Sequence, residues 1–258
     1  MPLLPKKGAC NGLQRYFLSD LFDDEGKAEI SGDDGKHIVR VMRMAPGDQV
    51  IAVSDGLAYV STISELATDG VIVQREGDAL PSSEMPVHVT IACGLPKGDK
   101  LDWITQKGTE LGMAGLIPFE AERAIVKWDD KKGGKKVERL RKIAKEAAEQ
   151  CHRTLIPEVA TPYTFKQLIN VAKTYDVLLF ADEEDAKSGK PHKIADRLKN
   201  VSPKQSVLVV FGPEGGLSRS EAEALHSAGF LPMALGPRIL RTETAPLYLL
   251  SAMSYEFE

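Results

Sequence analysis

The sequence predicts an α/β protein in which a β-rich segment precedes a larger part where strands and helices alternate. From residue 87 onward, apolar runs of strand length are separated by segments with helical periodicity. This alternation is typical of a mostly parallel sheet with helices packed on it. Before residue 79, short apolar runs are interrupted by Pro-Gly and Asp-Gly pairs, which is typical of the turns in a small barrel.

The β-rich segment covers residues 14–78 and is predicted to form that barrel. Its strands are predicted at residues 15–18, 49–54, 58–63 and 70–74. Within it, residues 34–44 predict one short helix that places His37 and Arg40 one turn apart, with Arg43 nearby. Such a cluster suits phosphate binding, because the planar guanidinium matches phosphate oxygens, but an ordinary solvated helix is equally rich in charge.

A stretch rich in Gly, Pro and Ser separates the two parts. Residues 79–86 are the predicted linker, residues 87–258 the second domain, and residues 1–13 an N-terminal extension. The second domain begins with a predicted strand at 87–93 and a helix that Asp99 is predicted to cap and Gly112 to end. Further strands are predicted at residues 115–119, 177–180, 207–211 and 231–235.

A basic segment follows the predicted strand at residues 115–119. Residues 123–145 contain ten Lys or Arg and three acidic residues, although the whole chain carries a formal charge of −4. An amphipathic helix is predicted to end near Cys151, and residues 131–136, KKGGKK, are predicted to be a mobile loop. The charge suits a polyanionic partner, and a solvated helix face explains it equally well.

Two glycine-containing loops are the most informative feature of the second domain. We call residues 212–217 the glycine loop; it follows an apolar strand and precedes Ser218 and Glu221, which form an S-x-x-E capping box. We call residues 236–243 the arginine loop; it leads to Thr244, a predicted helix cap, with Pro246 in the first turn. Ligands bind beyond the carboxyl ends of strands in open α/β sheets, so the loops predict a pocket.

Several classes of function and location are not indicated. The chain has neither a Walker phosphate loop nor a G-x-G-x-x-G motif with the required acidic residue. It has no apolar stretch of membrane-spanning length and no signal-peptide pattern, so a cytoplasmic protein without a membrane partner is expected. Three widely spaced cysteines without a Cys/His cluster predict reduced thiols and no metal site.

The two loops carry the resemblance to a known family. GPEGG-x-S-x-x-E followed by LG-x-RILRTETA closely resembles the RsmE-type 16S ribosomal RNA uridine-N3 methyltransferases of the SPOUT superfamily. The resemblance extends through KGDK at 97–100, QKGTELG at 106–112, EAAEQCHR at 146–153 and QRYF at 14–17. It therefore covers nearly the whole chain.

The resemblance implies a fold, a cofactor and partners. The fold would be an N-terminal PUA-like β-barrel followed by a SPOUT α/β domain with a C-terminal trefoil knot, and the protein would be a homodimer. The cofactor would be S-adenosylmethionine, and the substrate 16S ribosomal RNA or the small ribosomal subunit. The residues expected around the cofactor are Phe180, Gly212, Pro213, Glu214, Gly215, Gly216, Leu235, Gly236, Ile239, Leu240, Arg241 and Thr242.

Candidate residues for RNA binding and catalysis come from the residue patterns together with this resemblance, in which Arg15, His37 and Arg40 fall on the QRYF and H-x-x-R positions of the family. The RNA-binding candidates are Arg15, His37, Arg40, Arg43 and Arg123. For catalysis, a carboxylate would accept the N3 proton of uracil, or a guanidinium would stabilise the imide anion. The catalytic candidates are Arg241, Glu149 and Arg153.

Alternatives remain open for these roles and for the function. Glu149 and Arg153 are four residues apart and suit a simple ion pair, and Arg241 also suits a helix cap or the cofactor carboxylate. A noncatalytic RNA-binding assembly factor is one alternative function. A SPOUT methyltransferase acting on another RNA position is the other.

Overall fold

The computed structural model describes residues 12–128, 130–182 and 192–258, and gives no side-chain description for residues 130–132. Nearly all of the predicted N-terminal extension, including Cys10, therefore lies outside the described residues. The chain divides into two compact units. The first is Met1–Glu84 together with Glu149–Leu155, and the second is Met85–Ala148 with Ile156–Glu258.

The first unit is built on a five-stranded mixed sheet that forms a half-barrel. Its strands are β1 (Arg15–Phe17), β2 (Lys27–Ile30), β3 (Gln49–Ser54), β4 (Leu57–Ala67) and β5 (Gly70–Glu76). They are ordered β1-β3-β4-β5-β2, and only β1 and β3 pair in parallel. The sequence prediction missed β2, because its Lys27-Ala28-Glu29-Ile30 alternates exposed charge with buried apolar residues and contains no apolar run.

The helix predicted at residues 34–44 is wrong in its form. The structure has a short helix α1 (Gly32–Lys36) followed by one π-helical turn, His37–Val41. Arg43 has a φ of 54°, in the left-handed region, so the helical path ends there. Ile38 is fully buried inside the turn, while Arg40 is exposed.

The second unit contains a seven-stranded sheet in which every pairing is parallel. Its strands are β6 (His88–Gly94), β7 (Gly115–Glu120), β8 (Glu158–Val159), β9 (Tyr163–Thr164), β10 (Val177–Ala181), β11 (Ser206–Phe211) and β12 (Leu231–Met233). The order is β12-β10-β11-β6-β7-β8, and β9 also pairs with β7. The predicted alternation of strands and helices is confirmed.

Helices cover both faces of this sheet. They are α2 (Lys100–Glu110), α3 (Asp130–Gln150), α4 (Phe165–Val171), α5 (Ile194–Leu198), α6 (Arg219–Ser227) and α7 (Thr244–Phe257). Strand β11 shows why its sequence is an unbroken apolar run. Val207, Val209 and Phe211 belong to one hydrophobic cluster, while Leu208 and Val210 belong to the other, so β11 is buried on both faces.

Three local predictions in the second unit need correction. Residues 131–136 are not a loop, because α3 begins at Asp130. Gly133 is buried, and a Cβ added to it would lie 3.7 Å from the Trp128 Cβ. Thr244 is the first residue of α7 and not its cap, since Glu243 occupies the N-cap position. Asp99 is the N-cap residue of α2, but its side chain makes no capping hydrogen bond.

The thiol of Cys93 is predicted to be unreactive. Burial, with a smaller contribution from the charge of Glu214, raises the pKa of the Cys93 thiol to about 12. Since the thiolate is the nucleophile, we expect iodoacetamide at mildly alkaline pH to leave Cys93 unmodified in the native protein and to alkylate it in denaturant. Peptide mapping by mass spectrometry measures both; equal alkylation rates in the two conditions would contradict the packing described here.

Candidate active site

One large cavity lies in the second unit at the carboxyl ends of β10, β11 and β12. Its volume is about 830 Å³. The glycine loop and the arginine loop form about half of its wall, and Phe180, Lys100 and Arg123 are among the other residues that line it. The pocket predicted from the two glycine-containing loops is therefore present.

The glycine loop has a backbone that only glycine fits at its first position. A Cβ on Gly212 would lie 2.7 Å from the carbonyl carbon of Gly216 and 2.7 Å from the amide nitrogen of Leu217. Gly216 has a φ of 68°, which favours glycine. The capping box that follows is confirmed, since Ser218 and Glu221 exchange both of its hydrogen bonds.

Glu122 connects the segment after β7 to the start of α6, directly after the glycine loop. Its carboxylate accepts hydrogen bonds from the hydroxyls of Ser218 and Ser220, at 2.6 and 3.0 Å, and these bonds hold the pKa of Glu122 below its ordinary value. Its backbone amide donates to Glu221. The neighbouring Arg123 donates to the carbonyl of Gly215 at 3.3 Å, so Arg123 and the glycine loop share one wall of the cavity.

All twelve residues that the resemblance assigned to the cofactor line this cavity. Arg241 is among them, with an exposed side chain. Arg123, an RNA-binding candidate, is also exposed and also lines the cavity. The sequence reasoning did not assign several other residues of the wall, among them His226 and Lys100. His226 packs edge-on against the ring of Phe180, with 5.2 Å between the ring centroids, and Lys100 contacts the glycine loop. Only the KGDK motif gave any signal for Lys100, and none existed for His226.

Glu149 and Arg153 are not part of the cavity wall, because they belong to the first unit. The side chain of Arg153 is only 4% exposed and is paired with Glu84, to which its Nε donates at 3.0 Å. The same carboxylate accepts hydrogen bonds from the amides of Thr154 and Leu155, at 2.7 and 3.0 Å. The structure thus gives Arg153 a partner that the sequence did not predict, Glu84, which is far away in sequence.

The remaining RNA-binding candidates belong to the first unit and differ in exposure. Arg40 and Arg43 are exposed. Arg15 is buried and donates to the carbonyl of Arg153 at 2.9 Å, so its guanidinium lies inside the unit. His37 is half-buried, and its Nδ1 is 3.0 Å from the hydroxyl of Tyr16, whose pKa is raised mainly by burial.

Comparison with known proteins identifies the family. Residues 83–254 match the profile described as RNA methyltransferase domain, and residues 30–74 match the RNA methyltransferase PUA domain. The chain is 45% identical over 250 residues to the ribosomal RNA small subunit methyltransferase E of Bacillus subtilis, covering 95% of this chain and 98% of that protein. The chain belongs to the ribosomal RNA small subunit methyltransferase E family.

Other family members and their structures agree with the fold of this methyltransferase. The ribosomal RNA small subunit methyltransferase E of Mycobacterium tuberculosis is 29% identical, over 92% of this chain and 90% of that protein. A protein from Legionella pneumophila, solved in complex with the bound cofactor SAM, is 31% identical with a TM-score of 0.79, covering 95% of this chain and 98% of that chain. The Neisseria gonorrhoeae ribosomal RNA small subunit methyltransferase E bound to S-adenosyl methionine shares the fold, with a TM-score of 0.81 at 24% identity and coverage of 95% and 98%.

The fold of this RNA methyltransferase is thus a PUA-like unit followed by a SPOUT methyltransferase domain. Within residues 12–128, 130–182 and 192–258, no helix combines the length and apolarity needed to cross a bilayer. The same described residues contain no group of three or more His, Cys, Asp or Glu side chains arranged to hold a metal ion.

Proposed function

We propose that this RNA methyltransferase uses S-adenosylmethionine to methylate N3 of one uridine in the 16S RNA of the small ribosomal subunit, in the cytoplasm. The observation that carries the proposal is the cavity between the two loops, because all twelve residues assigned to the cofactor line it. The family membership supports ribosomal RNA as the substrate.

The residues of the cavity fit the cofactor. Its volume, about 830 Å³, is in the range of about 300–1,000 Å³ that small-molecule sites occupy. Gly216 and Gly236 both have positive φ, and a Cβ on either would meet no protein atom within 4 Å. The backbone at both positions is therefore open to a ligand. Leu235 and Leu240 supply the aliphatic surface that buries an adenine ring.

In the proposed methyl transfer, the main role of the protein is to position the target base against the methyl group. When bound, S-adenosylmethionine supplies a methyl group already activated by its sulfonium. The chain has to hold the target base unpaired in the cavity and exclude water, which converts a bimolecular encounter into a positioned one. The glycine loop and the arginine loop form the wall that achieves this.

The second role of the protein is to assist the loss of the proton on N3 of uracil. Loss of that proton places negative charge on the flanking carbonyl oxygens of uracil, and a guanidinium stabilises such charge. Arg123, Arg219, Arg238 and Arg241 all line the cavity, and we assign this role to Arg241, the catalytic candidate among them, with Arg123 beside the glycine loop. Glu149 and Arg153 lie in the first unit and not in the cavity wall. We therefore propose a catalytic role for them only if they reach the site from a second chain.

RNA is proposed to contact the exposed Arg40 and Arg43 of the PUA-like unit and the basic face of α3. Arg139 and Lys142 are exposed on α3, which leaves them accessible to phosphates. His37 is held by Tyr16 in the same unit. Because phosphate contacts carry a strong salt dependence, binding of ribosomal RNA is expected to weaken steeply as salt rises.

A homodimer is part of the proposal, and α7 offers exposed surface for it. Leu250 and Met253 of α7 are fully buried in the core of the second unit, so they are not available for a dimer interface. The exposed apolar residues of α7 are Tyr248 and Tyr255, at 40% and 90%. Sedimentation analysis of Tyr255→Ser against the unmodified protein tests this interface; a dimer that is equally stable in both would place the interface elsewhere.

Two measurements test the proposed function. Calorimetric titration with S-adenosylmethionine is expected to give a saturable heat, whereas a noncatalytic RNA-binding protein would give none. Nucleoside mass spectrometry of 16S RNA from a strain lacking the gene is expected to show loss of N3-methyluridine. Retention of that nucleoside, with loss of another methylated nucleoside, would assign the enzyme to another RNA position.

A further inference from the structure

Lys100 connects the two loops that form the cavity. It is the first residue of α2, and its Nζ lies 2.8 Å from Oε1 of Glu214 and 3.5 Å from Oε2 of Glu243. Glu214 belongs to the glycine loop, and Glu243 is the last residue of the arginine loop. One ammonium group thus contacts one carboxylate from each loop.

The surroundings of the two carboxylates show why this cation matters. Oε2 of Glu243 is buried and accepts no hydrogen bond from any described residue, so the nearby ammonium is the charge that offsets its burial. Glu214 also accepts the amide of Lys97 at 3.0 Å. Burial raises the pKa of Glu214, but the hydrogen bonds from Lys100 and Lys97 outweigh it and leave that pKa below its ordinary value.

We propose that Lys100 is a positioning residue that holds the glycine loop and the arginine loop at the separation required for cofactor binding. This inference rests on the proposed function. An ammonium is a compact charge with three donors, so it can face two carboxylates from different directions. Without it, Glu214 and Glu243 would repel each other and the loops would separate.

The core contacts of α2 do not depend on Lys100. Leu101 and Ile104, the next buried residues of α2, are 4% and 0% exposed. Both belong to the hydrophobic cluster that also contains Val207, Val209 and Phe211 of β11. The side chain of Lys100 itself is 27% exposed. Its removal is therefore expected to change the loops more than the stability of the domain.

Lys100 lines the cavity and Glu243 does not, and this difference makes the proposal testable. If Lys100 acts by holding the loops, then removing the charge of Glu243 weakens cofactor binding although Glu243 lies outside the wall. If Lys100 contacts the cofactor directly, only its own replacement weakens binding. Lys107 is the matched control, because it lies on the same helix and its 2.8 Å ion pair with Glu110 involves neither loop.

The experiment compares Lys100→Met, Glu243→Gln, the double variant and Lys107→Met. We expect the dissociation constant and KM for S-adenosylmethionine to rise about tenfold in both single variants, with no further rise in the double variant. The thermal midpoint should stay close to the unmodified value in every variant, and Lys107→Met should match the unmodified protein in cofactor affinity as well. Unchanged affinity in Glu243→Gln would overturn the proposal.

Hydrogen exchange separates failure of this inference from failure of the proposed function. Without cofactor, Lys100→Met and Glu243→Gln should both exchange faster in residues 212–217 and 236–243 than the unmodified protein. If the unmodified protein binds no S-adenosylmethionine, the proposed function fails, and the exchange rates still decide whether Lys100 holds the loops. Equal exchange in all proteins would overturn the role of Lys100 alone.

Discussion

Replacing Gly212 with alanine is expected to abolish binding of S-adenosylmethionine. The new Cβ would lie 2.7 Å from two backbone atoms, the carbonyl carbon of Gly216 and the amide nitrogen of Leu217. Backbone atoms cannot turn aside as a flexible side chain does, so the glycine loop has to move. Because a displacement of about 1 Å in a positioned site costs on the order of 100-fold, we expect at least that loss in affinity by calorimetric titration.

The control is Gly134→Ala, which makes the same chemical change in α3. A Cβ on Gly134 would meet no atom within 4 Å. Alanine also favours the helical conformation over glycine by about 1 kcal/mol, so this variant should bind cofactor normally and be slightly more stable. Normal cofactor affinity in Gly212→Ala would show that the glycine loop does not form the cofactor site.

Replacing Arg153 with alanine is expected to destabilise the first unit by about 3–5 kcal/mol, the usual cost of leaving one partner of a buried ion pair alone. Glu84, only 13% exposed, would then keep its charge without the guanidinium. Any loss of activity in this variant should follow loss of folded protein. Urea unfolding measures the effect, and the folded fraction then corrects the measured activity.

An exposed pair on α3 provides the control for Arg153. Lys142 and Glu146 lie 3.8 Å apart, with side chains 74% and 62% exposed, so Lys142→Ala should cost less than about 0.5 kcal/mol. A catalytic role for Arg153, one of the candidates in the sequence analysis, requires a different outcome. Arg153→Ala would then remain fully stable and lose kcat.

The same ion pair predicts a dependence of stability on pH. Burial raises the pKa of Glu84, but the hydrogen bonds and charge of Arg153 outweigh it, so the pKa lies below the ordinary value of 4.5. A carboxyl whose pKa is lowered on folding adds stability above its unfolded pKa and loses it as pH falls through its folded pKa. The stability difference between the unmodified protein and Arg153→Ala should therefore be full near neutral pH and shrink in acid.

Local sequence patterns predicted the sheet and the two loops. Strand β11 is an unbroken apolar run because both of its faces are buried, and the Ser218 and Glu221 capping box marks the start of α6. Both signals lie within a few neighbouring residues, so they are visible in one sequence. The resemblance of GPEGG and RILRTETA then assigned a ligand to the pocket that these patterns indicated.

Contacts between distant residues were not predictable in this way. Arg153 pairs with Glu84 across 69 positions, and Lys100 pairs with Glu214 across 114, so no local spacing indicates either contact. Glu149 is the opposite charge nearest to Arg153 along the chain, which made that pair the natural expectation. The π-helical turn at His37–Val41 has no local pattern that distinguishes it from an ordinary helix.

A crystal structure of the protein grown with saturating S-adenosylmethionine tests the central claim most directly. We predict cofactor density inside the cavity, in contact with both the glycine loop at Gly212–Gly216 and the arginine loop at Gly236–Thr242. Cofactor bound at another place, or a cavity that stays empty while calorimetry shows saturation, would contradict this account.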